Sequence, residues 1–168
     1  MLVAAMNPCS CGYYGDTEHE CRCSAYEVIK YQKKISGPFL DRIDLQIKAR
    51  KVALGELRDK NKDVLESPLV KMKIVAARSR QEERLRKIPD GEKLATNADL
   101  SARQIENTAG LATSAEKFLE TLSKSHLSPR GYYRMLKVAR TIADLEEKEL
   151  VSAEHLAEAF SYRLREEI

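Results

Sequence analysis

Four cysteines stand in this chain, paired as Cys9-x-Cys11 and Cys21-x-Cys23, all inside fifteen residues. Two close pairs separated by a loop can bring four thiolates together tetrahedrally around Zn²⁺. Four thiolates leave no open position for water, so such a metal is structural rather than catalytic. Gly12 and Gly15 give the backbone the freedom a tight metal loop needs. Asp16, Glu18 and Glu20 add negative charge to the intervening loop. Two other readings share the pattern: a redox switch built on the paired thiols, and a mixed site in which His19 replaces a cysteine. Disulfides are disfavoured in the cytoplasm, where the chain is expected to reside.

The remaining polar chemistry lies in a few arginines and one asparagine. Arg130 follows Ser128-Pro129, a helix-opening pair, and so falls in the first turn of a helix. The helix dipole disfavours a cation there and favours an anion, so an arginine and the helix end together suit one phosphate; a solvated arginine is the other reading, because exposed dipole effects are weak. Arg42 follows a Gly37-Pro38 break and precedes an alternating segment; on its own it reads as a surface ion-pair partner of Asp41 or Asp44. Asn7, before Pro8, reads on its own as a turn starter. Residues 71–87 hold Lys71, Lys73, Arg78, Arg80, Arg84, Arg86 and Lys87 against Glu82 and Glu83. A solvated helix face accounts for that run, and a phosphate contact is the sharper alternative. Tyr13, Tyr14, Tyr132 and Tyr133 are suited to base stacking, although packing is their ordinary role.

The elements positioning these groups are mostly helical. The 168 residues are 43% hydrophobic and 33% charged, with net charge +3, which suits a soluble, helix-rich chain and is too weakly basic to declare a nucleic-acid binder. Leu2–Met6 is expected to be a buried strand. A chain opening on such a strand with nothing to pair it is expected to be a piece of a longer protein. Residues 24–34 form a short helix broken at Ser36-Gly37-Pro38, and Ile43, Leu45 and Ile47 alternate as a half-buried strand. Ser67-Pro68 opens a helix with Val70, Ile74, Ala77 and Leu85 on its apolar stripe. Capping boxes stand at Ser101/Gln104 and Thr113/Glu116, with Leu100 stapled to Ile105. The helix from Ser128 runs through Tyr132, Leu136, Ala139 and Ile142 or Ala143, and Ser152 caps the last helix, with Val151 stapled to Leu156.

Three stretches then resemble the ComM/YifB magnesium-chelatase-like proteins over nearly the whole chain: AAMNPCSCGYYGD (4–16), ISGPFLDRIDL (35–45), and LSPR (127–130) continuing through KVARTIADL (137–145). This chain has Ser10 where the family pattern has proline, and Phe39 where it has leucine. The resemblance implies a ring-forming, hexameric AAA+ ATPase that uses ATP and Mg²⁺ and handles DNA as a helicase or branch-migration motor. It implies that Asn7 is the sensor-1 residue, Arg42 the arginine finger and Arg130 the sensor-2 arginine of the lid. The fold expected is α+β and mostly α-helical: residues 1–50 the end of an AAA+ core carrying the zinc loop 9–23, residues 51–95 a connecting helix, residues 96–168 a helical lid.

The departure from that pattern is the absence of any Gly-x-x-x-x-Gly-Lys-[Ser/Thr]. Without that loop and its lysine these 168 residues cannot bind ATP in the P-loop manner, so the nucleotide belongs to the longer parent. Two alternatives stay open: a stand-alone zinc-stabilised DNA-binding or interaction module, and the motor subunit of a true metal chelatase.

Overall fold

The structure is a computed structural model. It describes residues 1–49, 52, 63–122 and 127–163, with backbone alone for 63–66. Two compact units are present, one built on Met1–Ile43 and one on Asp44–Leu164.

The first unit has two short helices and long turns. Helix α1 spans Ala25–Gln32, and its cap is reciprocal: Ser24 Oγ accepts from the Glu27 N–H while Glu27 accepts from the Ser24 N–H. The Ser24 N–H and hydroxyl hold the Glu27 carboxyl below its ordinary value. Helix α2 is a single turn, Gly37–Leu40, capped by Ser36. Gly37-Pro38, expected only to break α1, therefore also starts a new helix, because proline suits a first turn whose N–H groups have no intrahelical partner. The expected strand at Leu2–Met6 is not formed. Those residues are exposed and pair with nothing in a sheet among the described residues.

The second unit is a helical bundle around one long helix. Helix α3 is Asp63–Leu85, α4 Ala102–Thr108, α5 Thr113–Leu122, α6 Pro129–Leu145 and α7 Ala153–Ser161, with 3₁₀ turns at Gly91–Lys93 and Asn97–Asp99. Helix α6 is central: it packs against α3, α4, α7 and the 97–99 turn, and α5 packs on α7. Leu85, Leu100, Ile105, Met135, Leu136, Ala139, Ala143, Val151 and Leu156 form the shared core. Both expected staples, Leu100–Ile105 and Val151–Leu156, join residues of that core. Gly91 is obligatory by close approach, since a Cβ there would lie 1.8 Å from the Leu85 carbonyl oxygen.

Four sequence expectations need correction in this unit. Helix α3 begins before Ser67, and Pro68 lies inside it. Pro68 is the sixth helical residue, past the first turn, so it costs the helix one intrahelical bond there. Val70 and Ile74 are exposed, so the packed stripe is Ala77, Gln81 and Leu85 on the C-terminal half. Thr113 is the first helical residue rather than a cap; the Ala112 carbonyl takes the N–H of Ala115 and Glu116. The expected strand 43–47 is also unformed, and Leu45 and Ile47 face outward. That segment is tied down instead by the Gln46 N–H to the Tyr162 carbonyl (2.9 Å) and by the ion pair of Asp44 with Arg134. No strand occurs among the described residues, which hold only an isolated parallel bridge between Leu111 and Val151. The described chain is mostly helical, and its helices include none long and apolar enough to cross a membrane.

Candidate metal centre and the arginines of the helical unit

In the first unit Cys9, Cys11, Cys21 and Cys23 converge, with every Sγ within 4.8 Å of every other. Cys9 Sγ lies 3.3 Å from Cys11 Sγ and 3.7 Å from Cys21 Sγ, and Cys11 Sγ lies 3.5 Å from Cys21 Sγ. These separations are far longer than a disulfide of about 2.05 Å. They approach the edge of about 3.8 Å that a tetrahedron with zinc–sulfur bonds of about 2.3 Å requires. The donor set thus fits a zinc-like ion, with all four thiolates as ligands.

The backbone shapes this cluster and presents donors to it. Gly12 sits at φ +87°, which lets its N–H turn back onto the Cys9 carbonyl at 3.1 Å. The Tyr13 N–H and the Cys9 thiol hold the Cys11 thiol down to about 6. Burial pushes Cys9 up, but the N–H groups of Tyr14 and Gly12 and the Cys21 thiol outweigh it, and the net direction is down. The Cys23 N–H lowers Cys21, yet burial and the crowding of Cys11 and Cys9 prevail and push it up to about 12. Four thiols this close cannot all ionise without a cation, and backbone N–H groups around them stabilise thiolates once one is present.

His19 does not belong to the cluster. Its ring stacks on Tyr13 at 5.0 Å between centroids and lies 3.8 Å from the Asp16 carboxylate. Asp16 is occupied by the Glu18 and His19 N–H groups, at 2.7 and 2.9 Å, as a turn-former. The cysteine loop continues directly into α1: Ser24, its cap, follows Cys23, and Gln32 Nε2 donates to the Pro8 carbonyl at 3.0 Å.

Asn7 is exposed beside the same loop; a Cβ on Gly12 would lie 3.7 Å from its Nδ2. Arg42 is exposed after α2 and donates from Nη1 to the Pro38 carbonyl at 2.6 Å. In the second unit Arg130 is exposed in the first turn of α6, and its side chain has no partner among the described residues. The end of α6 offers less than expected to an anion. Pro129 has no N–H and Ser128 Oγ takes that of Gly131 at 3.0 Å, which leaves the Arg130 N–H alone uncommitted in that turn.

Sequence reasoning missed a buried polar cluster in the second unit. Asp144 is fully buried and accepts from Arg84 at 2.8 and 2.6 Å, from Asn97 at 2.9 Å, and pairs with Arg140 at 3.1 Å. Burial pushes the Asp144 carboxyl up, but Arg84, Asn97 and Arg140 overcome it and hold it below its ordinary value. Arg140 also grips the carbonyls of Ala109, Lys148 and Glu149 at 3.0, 2.5 and 2.6 Å. Arg80 and Arg84 of the basic run are therefore internal partners, since Arg80 also pairs with Glu147 at 2.8 Å. The available signal was the i,i+4 spacing of Arg140 and Asp144 beside the Leu136–Ala139–Ala143 stripe.

Residues 65–163 match the family described as magnesium chelatase, subunit ChlI C-terminal, and residues 1–57 match magnesium chelatase, subunit ChlI. The chain belongs to the magnesium-chelatase-like family, in its ComM/YifB branch. It is 40% identical over 163 residues to the competence protein ComM of Haemophilus influenzae. It is 39% identical to the uncharacterized protein YifB of Salmonella typhimurium and 38% identical to YifB of Escherichia coli. Each of these alignments covers 96% of this chain and 30% of the relative, so the chain spans under a third of the length of those proteins.

Proposed function

We propose that these residues are the C-terminal portion of a longer AAA+ ATPase that couples ATP hydrolysis to DNA remodelling, with the phosphate-binding loop elsewhere in the parent. The observation that carries the reading is Arg130: an exposed arginine at the start of a buried central helix, placed against its own helix dipole, in a chain of this family. A nucleotide phosphate would satisfy the guanidinium and the one uncommitted N–H together. The name of the Haemophilus relative, competence protein, supports DNA as what the parent handles.

In this reading Arg42 is the finger that reaches a neighbouring subunit's nucleotide in a hexameric ring, and Asn7 orients the attacking water. Zinc held by Cys9, Cys11, Cys21 and Cys23 fixes the loop beside Asn7 and takes no part in hydrolysis. ATP and Mg²⁺ bind through the parent, which works in the cytoplasm.

Kinetics of the full-length parent test the assignment. An arginine finger acts as charge redistributes in the transition state, so Arg42→Ala should keep nucleotide affinity and lower turnover by about 10³-fold or more. Arg130→Ala should weaken ATP binding as well. Subunits with Arg42→Ala, mixed with subunits lacking the phosphate-binding lysine, should regain activity, because intact sites then face intact fingers. If mixed rings form without regaining activity, and Arg42→Ala alone weakens ATP binding, the finger assignment is wrong.

A further inference from the structure

Helix α1 carries a stripe at core spacing that faces solvent. Tyr26, Ile29 and Lys30 of α1, with Lys33 and Lys34 in the turn that ends it, stand at i, i+3, i+4, i+7 and i+8, and together they line a shallow cavity of about 270 Å³. The helix buries its opposite side through Val28, which is 2% exposed, whereas Tyr26 is 72% exposed. Lys30 Nζ lies 6.0 Å from the centre of the Tyr26 ring, and Lys34 Nζ lies 5.4 Å from that of Tyr31. No carboxylate among the described residues pairs with Lys30, Lys33 or Lys34; the nearest in sequence, Glu27, is committed to the Ser24 cap. Helix-dipole stabilisation of cations near a C-terminus accounts for some lysine here. It does not account for an exposed tyrosine on the same stripe, beside a half-buried Ile29.

We infer that this face of α1 binds single-stranded nucleic acid, with Lys30, Lys33 and Lys34 on successive phosphates and Tyr26 stacked on a base. The charge selects a polyanion, and the exposed ring selects one that carries aromatic bases over an acidic peptide or a lipid surface. The platform is held rigid from both ends. Ser24, its cap, follows the metal ligand Cys23, and Gln32 is bonded to Pro8 beside Cys9. The inference deepens the DNA reading above by naming a contact surface, and it rests on that reading for DNA as the natural ligand.

The test is fluorescence anisotropy of a labelled 20-nucleotide oligo(dT) with the zinc-loaded 168-residue chain, across a salt series and without nucleotide. Failure here leaves the ATPase assignment standing, and failure of that assignment leaves this binding measurable. Binding should weaken with salt, and Lys30→Gln/Lys33→Gln/Lys34→Gln should make the log–log slope shallower by about 2, as expected for three lost phosphate contacts on a single strand. Tyr26→Ala should weaken binding by about fivefold or more at unchanged slope, and Tyr26→Phe should retain it. Lys71→Gln/Lys73→Gln, on α3, should leave the slope as it is. An unchanged slope in the α1 triple variant overturns the proposal. So does an absence of binding by folded chain, or competition by dextran sulfate or anionic phosphatidylglycerol vesicles that Tyr26→Ala does not alter.

Discussion

The two units of this chain reach order by different means. In Asp44–Leu164 a continuous core joins five helices, and its buried ions are matched to one another. In Met1–Ile43 the buried hydrophobic residues among those described are Cys9 and Val28 alone. Apolar burial at about 25 cal/mol per Å² cannot order so small a set of contacts against backbone entropy. A metal held by the cysteine cluster would supply what the core does not, since metal binding free energy in such loops becomes folding free energy. The difference teaches where each unit is vulnerable: the first at its cysteine cluster, the second to loss of a partner in its interior.

Chelation should break the comparison most sharply. Structural zinc sites contribute on the order of 10 kcal/mol near neutral pH, so its removal, or Cys21→Ser, should disorder the first unit while the second stays folded. Amide hydrogen exchange should show protection lost around residues 9–32 and retained in α6. The second unit has its own weak point at Asp144. Removing one partner of a buried charge group costs about 3–5 kcal/mol, so Asp144→Ala should lower the denaturant midpoint of that unit and leave metal content unchanged.

Acid should act on both units, for separate reasons. The folded-state value of Asp144 lies below its ordinary value, so its contribution is complete above about pH 4, the unfolded value, and is lost as pH falls through the folded one. Thermal melts of the second unit should therefore fall as the pH drops below about 4. The metal should leave the first unit as its thiolates protonate, observable as release to a chromogenic chelator.

Smaller effects sharpen the picture of α6. It ends with the Lys148 N–H on the Ala143 carbonyl at 2.8 Å and the Glu147 N–H on that of Asp144 at 3.3 Å, a closure that places Glu147 at φ +63°. Glycine there removes strain of about 1 kcal/mol and gives up an exposed pair with Arg80 worth at most about that much. Glu147→Gly should thus leave the melting midpoint unchanged or slightly higher. Ser128→Ala should cost about 1 kcal/mol by stripping the acceptor from the Gly131 N–H.

What was legible in the sequence was local. Ser24, Ser101, Ser128 and Ser152 sit where helices begin, because a cap is decided by residues three positions apart. The Cys-x-Cys pairs announced their convergence by composition alone. The strands expected at 2–6 from an apolar run and at 43–47 from alternation failed because either pattern gives a strand only where a second strand exists to pair with it. The Asp144 cluster escaped because Arg84 lies 60 residues from its partner, a separation that no periodicity reports. Within α3, the apolar residues between Leu69 and Val75 are exposed, and the pattern alone did not tell that half from the packed one.

Metal content tests the central claim most directly. The chain, purified under reducing conditions and analysed by elemental mass spectrometry with thiol titration, should hold one zinc per molecule, with all four cysteines protected until a chelator is added. A folded first unit with no metal and four freely reactive thiols would contradict the account.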